Sequence, residues 1–355
     1  MHKVFFMKPK IGISIGDMNG IGPEVIMKTF SDNYILEMCT PIIYGSSKAL
    51  SYHRKALNFT NFNFNIIKNP NYINQKTVNI INCWEEEVEI NLGKPSAAVG
   101  KYAAKTLEYV MNDLKGKTID ALVTAPINKH TIQSETFKYS GHTDFLTEKS
   151  GSEDSLMFFI SENLKVGLVS VHSPLKDVAN HITQGKILRK LEMMNLSMKK
   201  DFAIEKPKIA VLGLNPHAGE NGLIGKEETN EIIPAVKKAQ DNNMIVYGPY
   251  SADGFFGAKS YEKFDAILAM YHDQGLIPFK ALSFGSGVNF TAGLPVIRTS
   301  PDHGTGYDIA GKNIASPDSF RSAVFLAIDI CKNRSVYDEA SKNPLKKTEL
   351  EKEIG

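Results

Sequence analysis

The stretch Phe264-Asp-Ala-Ile-Leu-Ala-Met-Tyr-His-Asp273 is an apolar run that leads directly into a histidine. Two earlier stretches have the same form: Lys165–Val171 leads into His172, and Lys208–Leu214 leads into Asn215-Pro-His217. Aliphatic runs of this length, separated by helical stretches, are typical of buried strands in a parallel or mixed α/β sheet. Such sheets bind ligands in the crevice beyond the carboxyl ends of their strands. These stretches therefore predict an α/β fold with a polar site at one edge of the sheet.

The three predicted strands each deliver one histidine: His172, His217 and His272. Three imidazoles at one edge of a sheet are a suitable ligand set for one divalent metal ion. Taken singly, each is more typical of an ordinary loop or core histidine, and it is the repeated position that favours a shared site. Histidine ligands favour an ion softer than magnesium, although carbonyl or water ligands would change that preference. We therefore predict one divalent metal, with zinc, magnesium, manganese and cobalt all open.

Length, charge and composition are those of a globular enzyme. The 355 residues suffice for two domains with a substantial core, and 42% of them are hydrophobic. Lys plus Arg total 41 against 39 for Asp plus Glu, so a net charge of +2 gives no reason to expect a nucleic-acid or anionic-membrane partner. No apolar run approaches the roughly 18 residues of a membrane span. The apolar patch after Met1 is too short for a signal-peptide core. Cys39, Cys83 and Cys331 lack metal-site spacing, so we expect reduced thiols in a cytoplasmic protein.

The rest of the chain repeats a strand-then-helix pattern. Apolar runs predict further strands over 10–15, 41–44 and 119–124. Apolar side chains at three- and four-residue spacing predict helices over 101–114, 184–198, 227–242 and 319–331. Pro234 is a candidate kink in the third of these helices. The Asn-rich segment 57–82 predicts only strands and loops and indicates nothing about function.

Two glycine-rich segments fail the tests for standard nucleotide-binding loops. Gly20-Ile-Gly22 follows a strand and opens a helix, but Val25 stands where the third glycine of a Rossmann fingerprint belongs. The segment 306–312 has the spacing of a P-loop, but Asn313 replaces the Ser or Thr that would hold magnesium. A dinucleotide would therefore have to bind without either standard loop.

Polar residues in other loops are candidates for binding an anion. Lys280, Asn289 and Arg298 lie in loop-rich stretches, and cations that converge on one pocket indicate a phosphate or carboxylate ligand. His142 and Thr143 follow a glycine and add an imidazole and a hydroxyl. The alternative is structural: ordinary surface charges for the two cations, and a helix start with Thr143 as its N-cap.

Five segments, spread in order over nearly the whole chain, are specific in combination. They are Gly16-Asp-Met-Asn-Gly-Ile-Gly-Pro-Glu24, Ser140-Gly-His-Thr-Asp144, Asn215-Pro-His-Ala-Gly-Glu220, Tyr271-His-Asp-Gln-Gly275 and Gly287-Val-Asn289. Together they resemble the 4-hydroxythreonine-4-phosphate dehydrogenase family. The stretch Asp302–Ala315 is in addition similar to the dinucleotide-binding loop of isopropylmalate dehydrogenases, which bind NAD without a Rossmann fingerprint. Ala125-Pro126 is a small departure, since relatives often have Gly-Pro there.

The resemblance implies an α/β fold of two α/β/α lobes with a central cleft, as in the isocitrate/isopropylmalate dehydrogenases. Residues 1–127 and 297–355 would form the first lobe, which carries the dinucleotide-binding loop. Residues 128–296 would form the second lobe, with the metal ligands and the dimer interface.

The resemblance also implies a reaction. It is the oxidation of 4-phosphohydroxy-L-threonine by NAD or NADP to 2-amino-3-oxo-4-phosphooxybutyrate, with the help of a divalent metal. That β-keto acid loses carbon dioxide to give 3-amino-2-oxopropyl phosphate, a step of pyridoxal phosphate biosynthesis. Two alternatives stay open: a sister dehydrogenase acting on threonate or erythronate 4-phosphate, and a metal-dependent hydrolase with no redox step. The loop 302–315 is the feature that disfavours the hydrolase.

Site residues of the family correspond to particular positions here, at the interface of an expected homodimer. The metal ligands would be His172, His217 and His272. The substrate contacts would be His142, Thr143, Lys280, Asn289 and Arg298. The dinucleotide would be held by Gly304, Thr305, Asp308 and Lys312. Asp253 and Asp273 are candidates for the general base, and for Asp273 we favour the role of orienting the adjacent His272.

Overall fold

A mixed sheet of twelve strands organises the chain. The computed structural model describes residues 8–342. In chain order the strands are β1 (Lys10–Ser14), β2 (Thr40–Gly45), β3 (Phe64–Ile67), β4 (Val78–Asn82), β5 (Ala121–Thr124), β6 (Leu156–Ile160), β7 (Lys165–Leu168), β8 (Lys208–Leu212), β9 (Ile245–Tyr250), β10 (Ala266–Ala269), β11 (Val288–Ala292) and β12 (Arg298–Pro301). Across the sheet their order is β3-β4-β2-β1-β5-β12-β11-β6-β7-β10-β8-β9.

The strand order divides the sheet at its centre. From β3 to β12 all neighbours run parallel. The strand β11 is antiparallel to β12 and to β6, and β6 is antiparallel to β7. The remaining strands, from β7 to β9, are again parallel. The six strands on the β3 side come from residues before 128 or after 296, and the other six from between. This order agrees with the two predicted lobes, whose boundaries stay a prediction.

Helices complete the α/β architecture. Ten α-helices lie within the described residues: α1 (Gly22–Phe30), α2 (Asn33–Met38), α3 (Ser47–Ala56), α4 (Ala97–Lys115), α5 (His142–Lys149), α6 (Gln184–Lys200), α7 (Ile233–Asp241), α8 (Ala252–Gly257), α9 (His272–Ser283) and α10 (Asp318–Ser341). The strands β2 and β5 bury every side chain, as expected for strands covered on both faces. The long helix α10 packs on β5, β11 and β12 and also contacts α1 and α6, so it spans both sides of the divide.

The predicted strands and helices are found, with differences at a few boundaries. The predicted helix 227–242 begins as a wide π-helical turn (Glu228–Ile232) and continues as α7. Pro234 is the second residue of α7, where a missing N–H is tolerated, so the proline marks a junction rather than a kink in one helix. The Asn-rich segment forms β3, a short 3-10 turn at Pro70–Tyr72, and β4.

Within residues 8–342, no helix combines the length and apolarity needed to cross a bilayer.

Candidate functional site

A cavity of about 580 Å³ lies against the centre of the sheet, where the two sets of strands meet. Its walls come from the end of β5, from β6, β11 and β12, from the start of α5 and from α9. Eight predicted site residues line it together: His142, Thr143, His172, His272, Lys280, Asn289, Arg298 and Gly304. These side chains come from both halves of the strand order. The cavity therefore lies where the sequence predicts the central cleft and its binding site.

Arg298 is a buried cation at the floor of this cavity. It is 3% exposed and belongs to β12. Its Nε and Nη2 donate to Thr124 Oγ1 over 3.1 and 2.8 Å, and its Nη1 donates to Thr291 Oγ1 over 3.1 Å. Burial lowers the pKa of the guanidinium to about 9. No carboxylate of residues 8–342 forms an ion pair with it. A buried cation without an acidic partner is a site prepared for an anionic ligand.

A second cation and an amide side chain lie beside this anion site. Asn289 lines the cavity from β11, and its Oδ1 is buried without a hydrogen-bond partner in the described chain. Lys280 projects from α9, and its Nζ donates only weakly to Asp302 O, over 3.4 Å. Both side chains therefore retain hydrogen-bonding capacity toward a ligand in the cavity.

His142 and Thr143 enter the cavity at the first turn of α5. The helix begins after Gly141, so the interpretation of Thr143 as an N-cap is wrong. The Nε2 atom of His142 is buried and lacks a partner in the described residues. Burial, and then the charges of Arg298 and Lys129, hold the pKa of this imidazole well below its usual range. His142 is therefore neutral near pH 7 and offers a hydrogen bond rather than a charge.

His172 and His272 lie side by side on the cavity wall. His272 is the first residue of α9, directly after β10, and His172 follows β7; their ring centroids are 6.1 Å apart. The Nδ1 atom of His272 is 2.7 Å from Asp273 Oδ1, so Asp273 orients the ring and leaves Nε2 free. Lost solvation, and then the charges of Lys129 and His272, lower the pKa of His172. Both features suit a metal ligand, since metals bind the neutral imidazole.

His217 is held away from this pair. It is exposed, does not line the cavity, and opens a run of five residues, 217–221, with left-handed backbone angles (φ of 51° at His217). The buried carboxylate of Glu228 accepts hydrogen bonds from Leu214 N and Asn215 N, each over 2.7 Å, and so fixes the base of the loop. Within residues 8–342 no three His, Cys, Asp or Glu side chains are grouped to bind a metal. One chain thus brings together two of the three predicted ligands.

The two candidate bases occupy different places. Asp273 is bonded to His272, which is the arrangement that we favoured for it. Asp253 is fully exposed outside the cavity, where a 2.6 Å hydrogen bond from Ser251 Oγ is the main cause that lowers the pKa of its carboxyl. The imidazole of His217 is near enough to lower it further. Asp273 is thus hydrogen-bonded to His272, and Asp253 lies near His217.

Lys129 and His303 line the cavity and were missed by the sequence interpretation. Lys129 Nζ lies 3.4 Å from His172 Nε2. His303 follows β12, and its Nε2 is buried without a partner in the described chain. Lys129 lies in the loop after β5, and His303 lies two residues after β12, so the end of a strand is the sequence signal that marks both.

The predicted dinucleotide-binding residues share the segment 302–315, between β12 and α10. Gly304 lines the cavity, and Asp308 and Lys312 are exposed. The carbonyl of Thr305 accepts a hydrogen bond from Ile21 N over 2.9 Å. This segment therefore opens at one end into the cavity and presents its other polar side chains to solvent.

The three cysteines are unpaired in the structure. Burial raises the pKa of each thiol to about 12. The thiolate, which is the reactive form, is therefore disfavoured, as expected for reduced cysteines without a catalytic role.

Comparison with known proteins agrees with these features. The model of the family described as "Pyridoxal phosphate biosynthetic protein PdxA" matches residues 37–327. A 4-hydroxythreonine-4-phosphate dehydrogenase of Bacteroides thetaiotaomicron is 51% identical over 97% of this chain and 95% of its own. One of Aquifex aeolicus is 44% identical over 91% and 99% of the two chains.

Solved structures show the same relationship. The crystal structure of 4-hydroxythreonine-4-phosphate dehydrogenase from Klebsiella pneumoniae is 33% identical, covers 92% of this chain and 99% of that chain, and superposes with a TM-score of 0.80. A terephthalate 1,2-cis-dihydrodiol dehydrogenase from Burkholderia xenovorans, 23% identical with a TM-score of 0.62 over 91% and 98% of the chains, shares the fold. The predicted family and α/β fold are confirmed: the chain belongs to the PdxA family of pyridoxal phosphate biosynthetic proteins, and it is a dehydrogenase that acts on a CH–OH group.

Proposed function

We propose that this chain oxidises 4-phosphohydroxy-L-threonine with NAD and a divalent metal ion, and that the resulting β-keto acid loses carbon dioxide. The observation that carries the proposal is Arg298, a buried guanidinium with no acidic partner in the described chain, at the floor of the central cavity. The relatives of this chain are named for a phosphorylated substrate. Phosphate is an anion that a buried guanidinium binds well.

The phosphate is held by Arg298 and Lys280, together with the side-chain amide N–H of Asn289, because the amide oxygen is only an acceptor. A guanidinium forms paired hydrogen bonds with phosphate oxygens, each stronger than a neutral hydrogen bond. His142 and Thr143 hold another part of the substrate, since they enter the same cavity from α5. Because His142 is neutral, it positions polar groups without adding a charge that would compete with the phosphate site. Anchoring at both ends fixes the carbon that carries the reacting hydroxyl.

The metal is held by His172, His272 and His217, the last supplied by a second copy of the chain in a homodimer. The donor set fits: two imidazoles already face one cavity, one of them is oriented by Asp273, and the pKa of the other favours its neutral form. When bound, a divalent ion lowers the pKa of the substrate hydroxyl and stabilises the negative charge that develops on oxygen. We assign Asp253, which lies near His217 and accepts a hydrogen bond from Ser251 Oγ, to the same orienting role in the assembled site.

The dinucleotide is held by the segment 302–315, through Gly304, Thr305, Asp308 and Lys312. The fit rests on the open end of this segment at the cavity, where His303 Nε2 is buried without a described partner and Gly304 has no atom near a Cβ position. When bound, the dinucleotide accepts the hydride. The side chains around the cavity keep the donor carbon next to that segment.

The test is NADH formation by the purified protein with 4-phosphohydroxy-L-threonine, after chelation and again with metal restored. We expect turnover that depends on metal and is lost in His217→Ala. Parallel reactions with threonate and erythronate 4-phosphates examine the sister activity. Turnover on the sugar acids alone would replace the proposed substrate, and absence of NADH from all three, with folded and metal-loaded protein, would refute the proposal. A mixture of inactive His217→Ala and inactive Arg298→Met proteins should recover activity if sites form between two copies.

A further inference from the structure

The first family motif holds the cofactor loop, which we define as residues 302–315, at two points. Near the start of the loop, Ile21 N donates to Thr305 O over 2.9 Å. At its end, Ala315 N donates to the buried carboxylate of Glu24 over 2.9 Å. These contacts join parts of the chain that are nearly 300 residues apart, so the motif helps to fix the shape of the loop.

Tyr307 extends this junction to the substrate cavity. Its hydroxyl donates to Asp17 Oδ2 over 2.5 Å, and the side chain of Asn128 faces the same hydroxyl. The backbone N–H of Asp17 in turn donates to Pro126 O over 2.9 Å. Pro126 and Lys129 line the cavity. One tyrosine hydroxyl therefore connects the cofactor loop with the turn 126–129 that forms a wall of the substrate site.

The polarity of this connection is fixed. Asp17 is 1% exposed, and its other oxygen, Oδ1, accepts from Asn19 N over 2.9 Å. Burial and the neighbouring carboxylate raise the pKa of Tyr307, so its hydroxyl keeps its proton and acts as the donor. A short hydrogen bond from a phenol to a carboxylate is among the stronger ones in proteins and has one preferred geometry. Displacement of Tyr307 in the loop is therefore passed to Asp17 and to the turn that it holds.

We propose that Tyr307 and Asp17 are positioning residues that couple the two binding sites, so that a dinucleotide on the cofactor loop raises the affinity of the cavity for substrate, and the reverse. The inference rests on the proposed function of the loop. The hydrogen bond between Tyr307 and Asp17 would make the binding of dinucleotide and substrate cooperative. Reciprocity is required, because a coupling free energy between two ligands is the same in both directions.

The experiment uses NADH and 4-phosphohydroxy-L-threonine, a reduced cofactor and an alcohol that cannot react with each other. NADH fluorescence gives the Kd of NADH without and with saturating substrate, in metal-loaded protein. For the natural chain we expect substrate to lower the Kd by about 5-fold or more, the lower end of typical couplings. In Tyr307→Phe, which keeps the ring and removes only the hydroxyl, the ratio should fall below about 2-fold, while each ligand alone still binds.

The matched control is Tyr109→Phe, an exposed tyrosine on α4 whose hydroxyl has no hydrogen bond in the described chain. It should keep the natural ratio. An unchanged ratio in Tyr307→Phe would overturn the coupling while leaving the proposed function intact. Absence of NADH binding to the natural chain would instead refute the cofactor loop itself.

A measurement on the natural chain guards against a variant that fails to fold. Hydrogen exchange of the turn 126–129 should slow when NADH alone is added, because the loop then holds Tyr307, and through it Asp17, more tightly. Exchange in the control helix α4 should be unchanged. Equal exchange of the turn with and without bound NADH would also overturn the inference.

Discussion

Replacement of Arg298 by methionine should make the protein more stable and far less active. Burial lowers the pKa of the guanidinium from 12.5 to about 9. At about 1.4 kcal/mol per unit, the buried charge costs about 5 kcal/mol. Three hydrogen bonds to Thr124 and Thr291 return about 1 kcal/mol each, or about 3 kcal/mol in total. Methionine removes both contributions and fills a similar volume, so the free energy of unfolding should rise by about 2 kcal/mol.

The assay is thermal unfolding of the two proteins with and without inorganic phosphate. Without phosphate, Arg298→Met should melt a few degrees higher. Phosphate should raise the Tm of the natural chain, since a ligand at a hundred times its Kd contributes about 2.7 kcal/mol, and should leave the variant unchanged. In steady state, kcat/KM should fall by about 100-fold or more, because a charge-assisted pair to the substrate phosphate is lost.

The matched control is Arg334→Met. Arg334 is also largely buried, but its Nε donates to the buried carboxylate of Asp201 over 2.6 Å. The same substitution there leaves an unpaired buried charge and should destabilise the protein by about 3–5 kcal/mol. If Arg298→Met is destabilised to a similar extent, or if phosphate still stabilises it, the conclusion that Arg298 is a cation awaiting an anion is refuted.

Three further outcomes follow from the site. Asp273→Asn should weaken metal binding by about 10–100-fold in a competition titration with a chromogenic chelator, since it removes the group that orients His272, and equal affinity would contradict that role. Glu228→Ala should lower the free energy of unfolding in urea by about 2–3 kcal/mol, because Leu214 N and Asn215 N lose their shared acceptor; Glu220→Ala, an exposed change, should be silent. In NMR titrations His142 should stay neutral where an ordinary imidazole becomes protonated; since its folded pKa is depressed, it should make stability fall as pH drops below about 6.5, and His142→Gln should remove that contribution.

The fold and much of the site were predictable because their signals are local. An aliphatic run alone predicts a buried strand, and the end of the run predicts the edge of the sheet. The strands β7, β8 and β10 and the histidines after them could therefore be found without knowledge of the strand order. Arg298 was found as a residue but not as an unpaired buried cation, because burial depends on which strands flank β12. The order of a twelve-stranded sheet cannot be obtained from the periodicity of one segment.

Other parts of the site depend on long-range contacts that no spacing reveals. Tyr307 bonds to Asp17 from 290 residues away, and although both residues lie in segments that the sequence singled out, nothing in either segment indicates that the two side chains meet. His217 was expected to join the other two histidines at one edge, yet its loop turns left-handed and stays outside the cavity of its own chain. The carboxylate that holds this loop belongs to a π-helical turn whose position depends on packing.

The left-handed run 217–221 affects the association rate of a second molecule that contacts His217. Ordering a backbone residue costs about 1–2 kcal/mol, so five residues represent roughly 5–10 kcal/mol of conformational entropy. Because Glu228 fixes the loop within its own chain, that entropy is lost when the chain folds, before any second molecule arrives. Encounter then resembles the docking of two preorganised bodies. Its association rate should be set by diffusion and orientation, with little further delay from loop rearrangement.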